Sequence, residues 1–220
     1  MEKTDIFTQN TTSSAGMSAG LYNFAIGATL LWGFIVNWYM IQTFDPAIFT
    51  AMPTWAFLVA FFVTGIAGVA LFTASSNPLV SFIGYNLVVV AFGVVLNIVV
   101  SQYDPDLVFQ AIQTTALVTA VMMFAATCFP GFFKRIAGAL FVALLAMIVV
   151  ELVQVFVFNV QQGWTDWVVA AIFCGYIGVD WVRANECPRT LDNAIDGAAS
   201  LYMDIINLFI RILKIYADNK

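Results

Sequence analysis

The chain has 220 residues, 62% hydrophobic and only 10% charged, with a mean hydropathy of +0.92. A soluble domain carries about 25% charged residues, so this composition excludes an ordinary water-exposed globule and suits a chain dissolved in a bilayer. The net charge of −5 leaves no basic patch for nucleic acid, and the lack of histidine excludes Ser/His and Cys/His catalysis and histidine-held zinc or haem.

In chain order, residues 1–20 are polar and Ser/Thr-rich, with Lys3 as their only basic residue. No basic region precedes a short apolar run, so this stretch reads as a cytoplasmic segment rather than a cleaved signal peptide. Six apolar runs follow: Leu21–Phe44, Thr54–Ala74, Pro78–Val100, Leu107–Cys128, Ile136–Val160 and Trp164–Val182. Each is about 20 residues, enough to cross a ~30 Å hydrocarbon core at 1.5 Å per residue. Backbone groups in lipid must bond within their own segment, so the runs are predicted helices. All six prolines fall between or at the ends of the runs, where a missing N–H costs nothing. Trp38, Tyr39, Trp55, Tyr103, Trp164, Trp167 and Trp181 stand near run ends, as interfacial anchors do. Cys128, Cys174 and Cys187 are far apart and form no metal-binding or redox pattern.

Residues 21–216 thus form one transmembrane domain, followed by a short polar tail, 217–220. Basic residues set the orientation. With the N-terminus in the cytoplasm, the inner segments hold Lys3, Lys134, Arg135, Arg183 and Arg189, while the outer connectors around Asp45, Asp104 and Asp166 hold no Lys or Arg. Arg211, Lys214 and Lys220 oppose this, since a complete seventh crossing puts them outside.

The seventh segment, Ala194–Ile215, carries Asp196, Ser200, Asp204, Asn207, Arg211 and Lys214 at spacings of three and four, a single helical stripe. An isolated helix of this kind fits the membrane surface better than the wet centre of a bundle. Three acidic residues interrupt apolar stretches: Glu151, Asp180 and Asp204. A carboxylate at the bilayer centre costs roughly 2.5–3.5 kcal/mol, so such groups face a bundle interior or a cavity. Glu151, with Gln154 beside it, fits an interhelical hydrogen bond and a functional polar patch equally well. Asp180 and Asp204 flank a short loop, so their helices are predicted antiparallel neighbours. If the last helix starts near Asp196, Asp204 lies about 12 Å along it, close to the depth of Asp180. Two carboxylates sharing a site do not both ionise readily, so the pair can hold one proton and latch two helices. The same oxygens can take a hard cation such as calcium transiently.

Leu201-Tyr202-Met203-Asp204-Ile205-Ile206-Asn207-Leu208-Phe209, followed by Ile210-Arg211-Ile212-Leu213, resembles the terminal signature of the Bax inhibitor family. Upstream, Gly175-Tyr176-Ile177-Gly178-Val179-Asp180-Trp181 is similar to that family's aspartate-bearing sixth helix, and the 24-residue interval between the aspartates matches its paired pH-sensing aspartates. The resemblance implies an all-α membrane protein with seven transmembrane helices, six around a central C-terminal one. It also implies a pH-sensitive calcium leak gated by Asp180 and Asp204, with acid raising the flux. Physical argument alone leaves that sign open. Glu151, Asn207 and Arg211 are then candidate pore or support residues.

One departure stands out. Relatives latch onto the aspartates with a basic residue of an early helix, whereas the second and third runs here contain no Lys or Arg. Asn86 and Asn97, eleven residues apart on one face, are the nearest polar substitutes, and interhelical glue describes them better.

Two rival functions remain. An intramembrane aspartyl protease also pairs aspartates on neighbouring helices, but Gly178-Val179-Asp180 lacks the first glycine of the GxGD motif and Asp204 has no glycine near it. A non-conducting regulatory protein that binds a membrane protease or another membrane partner is the other. The expectation is a non-enzymatic monomer without cofactor, with calcium as permeant ion and the lipid bilayer as surroundings. The compact length and short tail suggest a bacterial plasma membrane.

Overall fold

The computed structural model describes residues 16–158 and 163–219, and every element among them is helical. The helices are α1 (Ala19–Thr43), α2 (Pro46–Thr50), α3 (Thr54–Ala74), α4 (Pro78–Val100), α5 (Pro105–Cys128), α6 (Pro130–Val153), α7 (Trp164–Glu186) and α8 (Leu191–Asp218), with a π turn, Gln154–Phe158, extending α6. Lys3, most of the polar N-terminal stretch, the end of the fifth run at Val160, and Lys220 lie outside the described residues. Six of these helices, α1 and α3 to α7, are long and apolar enough to cross a membrane.

Local chemistry explains the boundaries. Proline opens α2, α4, α5 and α6, where its fixed φ suits the first turn and its missing N–H has no intrahelical partner to lose. Asp45, Asn77 and Asp104 cap α2, α4 and α5 by accepting from Ala47, Leu79 and Asp106 amides at 2.9, 3.0 and 2.9 Å. The short α2 inside the first connector is an element that hydropathy does not show. Helix α6 starts at Pro130 rather than Ile136 because Lys134 and Arg135 do not end a helix. Lys134 instead reaches along the surface to pair with Glu186. Thr190 caps α8 through the Asn193 amide at 3.1 Å, so that helix is longer at both ends than the predicted Ala194–Ile215.

Side-chain contacts fix the up-and-down order. Tyr22 Oη donates to the Ala184 carbonyl at 2.7 Å, and Ser81 Oγ donates to Asp192 Oδ1 at 2.7 Å. These bonds, with the Lys134–Glu186 pair, gather the starts of α1, α4, α6 and α8 with the end of α7. At the opposite end, Asn97 Nδ2 donates to the carbonyls of Met40 and Phe44 at 3.2 and 2.9 Å, and the Thr114 and Tyr216 hydroxyls meet at 2.7 Å.

Helix α8 packs against α7, α1, α4 and α5, and none of its residues from Asp192 to Ala217 is exposed. Of its polar stripe, Asp204 is buried and Asp196, Ser200, Asn207, Arg211 and Lys214 are half-buried. The surface placement expected for an isolated segment is overturned, because the apolar residues on both flanks of the stripe are buried against other helices. The Tyr202 ring sits among Phe34, Tyr85 and Phe92, and its hydroxyl accepts from Asn37 Nδ2, which pins α8 to α1 and α4. Helices α3 and α6 stand further out. A Cβ on Gly68 or Gly84 would come 2.6 Å from the other's carbonyl, so α3 docks on α4 backbone to backbone. Gly175 and Gly178 likewise receive Leu140 and Phe133 of α6 on α7.

Candidate functional site

The Asp180 and Asp204 carboxyls, on α7 and α8, are close neighbours that interact directly. Antiparallel packing across the short loop brings them together, although α8 starts at Leu191, which puts Asp204 about 20 Å along it. Asp204 is buried, and its Oδ2 finds no donor among protein groups. Two ionised carboxylates offer each other only acceptors, so the contact becomes a hydrogen bond when one of them carries a proton. On the other side, Arg183 Nη1 donates to Asp180 Oδ1 at 3.2 Å. That guanidinium is two-thirds exposed, so the pair contributes only ~0.3–0.5 kcal/mol. Arg183, read from sequence only as a topology marker, is thus the cation beside the aspartates. Its i+3 spacing from Asp180 was the available signal.

The asparagines are placed elsewhere. Asn86 Oδ1 accepts from Trp32 Nε1 at 3.0 Å, and Asn97 caps the last carbonyls of α1. Both join α4 to α1 and neither contacts the aspartates, so they do not replace a basic latch. Their shared face is the α1 face. Asn207 Nδ2 donates to the Met203 carbonyl at 2.8 Å, within its own helix.

Further along α8, Arg211 gathers two carboxylates that the sequence separates. Nη1 and Nη2 hold Glu151 Oε1 and Oε2 at 2.6 and 2.9 Å, and Nη1 also holds Asp166 Oδ1 at 2.6 Å. Glu151 thus makes an interhelical hydrogen-bonded contact, as half of a bidentate pair at the end of the bundle away from Arg183. Asp166, taken from sequence as part of a connector, is buried in the first turn of α7. A polar vestibule of about 180 Å³ opens over this triad, lined also by Tyr103, Gln154, Lys214 and Asp218.

The family described as inhibitor of apoptosis-promoting Bax1 matches residues 15–220, the whole of the helical bundle and both aspartates. The chain belongs to the Bax inhibitor family. Among similar proteins, an uncharacterized membrane protein of Streptococcus pyogenes serotype M6 is 27% identical over 94% of this chain and 90% of its own. Protein LIFEGUARD 4 of Arabidopsis thaliana is 28% identical over 85% of each chain. An uncharacterized protein of Helicobacter pylori strain J99 is 31% identical over 54% of this chain and 52% of its own.

In this Bax inhibitor family protein the pair stands at the head of an acidic row on α8. Asp192 is buried and bonded to Ser81, and Asp196 lies near it with an Oδ1 that has no protein donor. Asp192 escaped sequence reasoning because it precedes the predicted helix start. Once Thr190 is seen as the cap, Asp192, Asp196 and Asp204 step by four and eight on one face. Among the described residues no group of three or more acidic or thiol side chains converges as a metal site. Calcium at the aspartates would therefore have two carboxylates and would keep most of its water.

Proposed function

We propose that this protein is a pH-sensitive calcium leak rather than an enzyme, gated where α7 meets α8. The observation that carries this reading is the contact between Asp180 and Asp204. One shared proton ties the two helices; losing it leaves two repelling charges, and adding a second leaves a neutral pair without the charge-assisted bond. Each state favours a different packing of α7 on α8, so proton concentration biases the equilibrium between closed and open arrangements. The acidic row Asp192–Asp196–Asp204 gives a hydrated cation a line of oxygen ligands on a helix that lipid does not touch.

In this reading α8 is a seventh crossing. Its 28 residues span about 42 Å, more than the ~30 Å core, and it packs against α1, α4, α5 and α7 with none of its residues from Asp192 to Ala217 exposed. The N-terminus is cytoplasmic, and Arg211 does not weigh against this as it does in sequence, because Glu151 and Asp166 offset its charge. Similarity to membrane proteins of Streptococcus pyogenes supports a bacterial plasma membrane.

The test is calcium flux into liposomes holding the purified protein, measured across pH. The wild type passes calcium with a pH dependence. Asp180→Asn and Asp204→Asn keep the volume, remove the titration and flatten the response. Unchanged pH-dependent flux in the double variant would sink the gate. Absence of flux from folded wild-type protein at every pH would favour a non-conducting regulatory protein.

A further inference from the structure

Arg183 is the cation that reaches the Asp180–Asp204 pair. Helices α1, α3 and α4 carry no charged residue, and α5 carries only Asp106, in its first turn. On α6, Lys134 is paired with Glu186 and Arg135 is exposed. The buried tyrosines of α1 and α4, Tyr22 and Tyr85, give their hydroxyls to backbone carbonyls. The ties that α1 and α4 make around the pair are therefore neutral.

One of these ties grips the end of α7. Tyr22 is 1% exposed, and its Oη donates to the Ala184 carbonyl at 2.7 Å. That carbonyl lies in the last turn of α7, where the helix itself offers no donor. Ala184 stands one turn beyond Asp180 on the same face of α7. Against it, α8 has room only for glycine: a Cβ on Gly197 would lie 2.8 Å from Ala184 Cβ and 4.0 Å from Ile26 Cδ1. Ile26 follows Tyr22 by one turn of α1 and is also 1% exposed. The chain entering α1 adds a second tie, from the Met17 amide to the Arg189 carbonyl at 2.8 Å. The titratable neighbours of the phenol are Asp196, Arg189 and the Cys187 thiol. Neither a phenol nor a carbonyl titrates near neutral pH, so the Tyr22 bond persists while the aspartates exchange protons.

We propose that Tyr22 is a positioning residue of the gate, holding the end of α7 on α8 in the register at which Asp180 meets Asp204. This rests on the reading of that pair as the gate. The Tyr22 bond supplies the part of the closed state's stability that pH does not change, and the aspartates supply the part that it does.

Tyr22→Phe keeps the ring and removes the hydroxyl. In liposomes, its calcium flux per folded protein, at the pH where the wild type is most closed, should rise roughly five- to tenfold. The pH response should remain above this raised floor, because both aspartates are intact. Tyr85→Phe is the control, since it removes a bond of the same kind, from Tyr85 Oη to the Thr29 carbonyl at 2.9 Å, that joins α4 to α1 and does not touch α7. It should lower the melting temperature about as much and leave the floor at the wild-type level. Hydrogen–deuterium exchange in nanodiscs reads the same contact without flux. Residues 183–190 should exchange faster in Tyr22→Phe and at the wild-type rate in Tyr85→Phe. Wild-type exchange in Tyr22→Phe, a conducting protein whose floor that change leaves alone, or a floor raised equally by Tyr85→Phe would each overturn the proposal. Faster exchange in Tyr22→Phe, with no calcium flux from the wild type at any pH, would overturn the leak and leave Tyr22 as the residue that sets the α7–α8 register.

Discussion

Replacing Arg211 with Met keeps a long side chain along α8 and removes the charge that holds Glu151 and Asp166. The triad carries a net charge of −1, and all three side chains are largely shielded, with relative exposures of 19, 28 and 12% for Arg211, Glu151 and Asp166. Removing one partner of a fully buried ion pair costs about 3–5 kcal/mol, since the other charge is left unpaired. Partial exposure puts Arg211→Met near the lower end, at about 3 kcal/mol. At about 2–4 °C per kcal/mol for a chain of this size, its melting temperature should fall by roughly 6–12 °C. Asp166→Asn works in the opposite electrostatic sense. It leaves the bidentate Arg211–Glu151 pair, takes the cluster to neutrality and keeps an amide oxygen for Nη1, so it should cost less than about 1 kcal/mol. Combining Arg211→Met with Glu151→Gln and Asp166→Asn removes every charge and should recover most of the loss. Thermal unfolding in detergent micelles, followed by tryptophan fluorescence, ranks the variants. If Asp166→Asn is as damaging as Arg211→Met, or if the triple variant melts no higher than the single, charge pairing is not what the arginine contributes.

Cys187 and Cys128 are exposed at the end of the bundle assigned to the cytoplasm. In a Cys128→Ser background, an impermeant maleimide should label Cys187 only after cells are permeabilised, and labelling from outside would reverse the orientation. Glycine positions give a packing test. Gly68→Ala and Gly84→Ala force the α3 and α4 backbones apart and should each cost about 1–3 kcal/mol. Gly65→Ala, with nothing within 4 Å of the new methyl, should be neutral or gain up to ~1 kcal/mol, and a melting series that does not separate these sites would refute the close α3–α4 approach.

Much of this protein is legible along the chain because the bilayer imposes rules that act locally. A segment in hydrocarbon must be apolar, about 20 residues long and internally hydrogen-bonded, and proline must stay out of its interior. Composition and hydropathy therefore located all six apolar spans, and the terminal signature with its upstream aspartate located the family. A short loop between two helices made the meeting of Asp180 and Asp204 a fair inference, since hairpin geometry fixes relative depth. Other features depend on which faces of distant helices meet, and no local rule carries that. The stripe on α8 has the same periodicity whether it lies on a membrane or inside a bundle; only burial of its flanks by α1, α4, α5 and α7 distinguishes the two. Asn86 and Asn97 share a face in the sequence, but whether that face looks at the aspartates or at α1 is set by the rotation of α4. Arg211, Glu151 and Asp166 come from three helices, with the cation 60 and 45 positions along the chain from its two partners. Their charges meet only in three dimensions, because an ion pair forms where packing brings the groups within a few ångströms, and separation along the chain does not enter Coulomb's law.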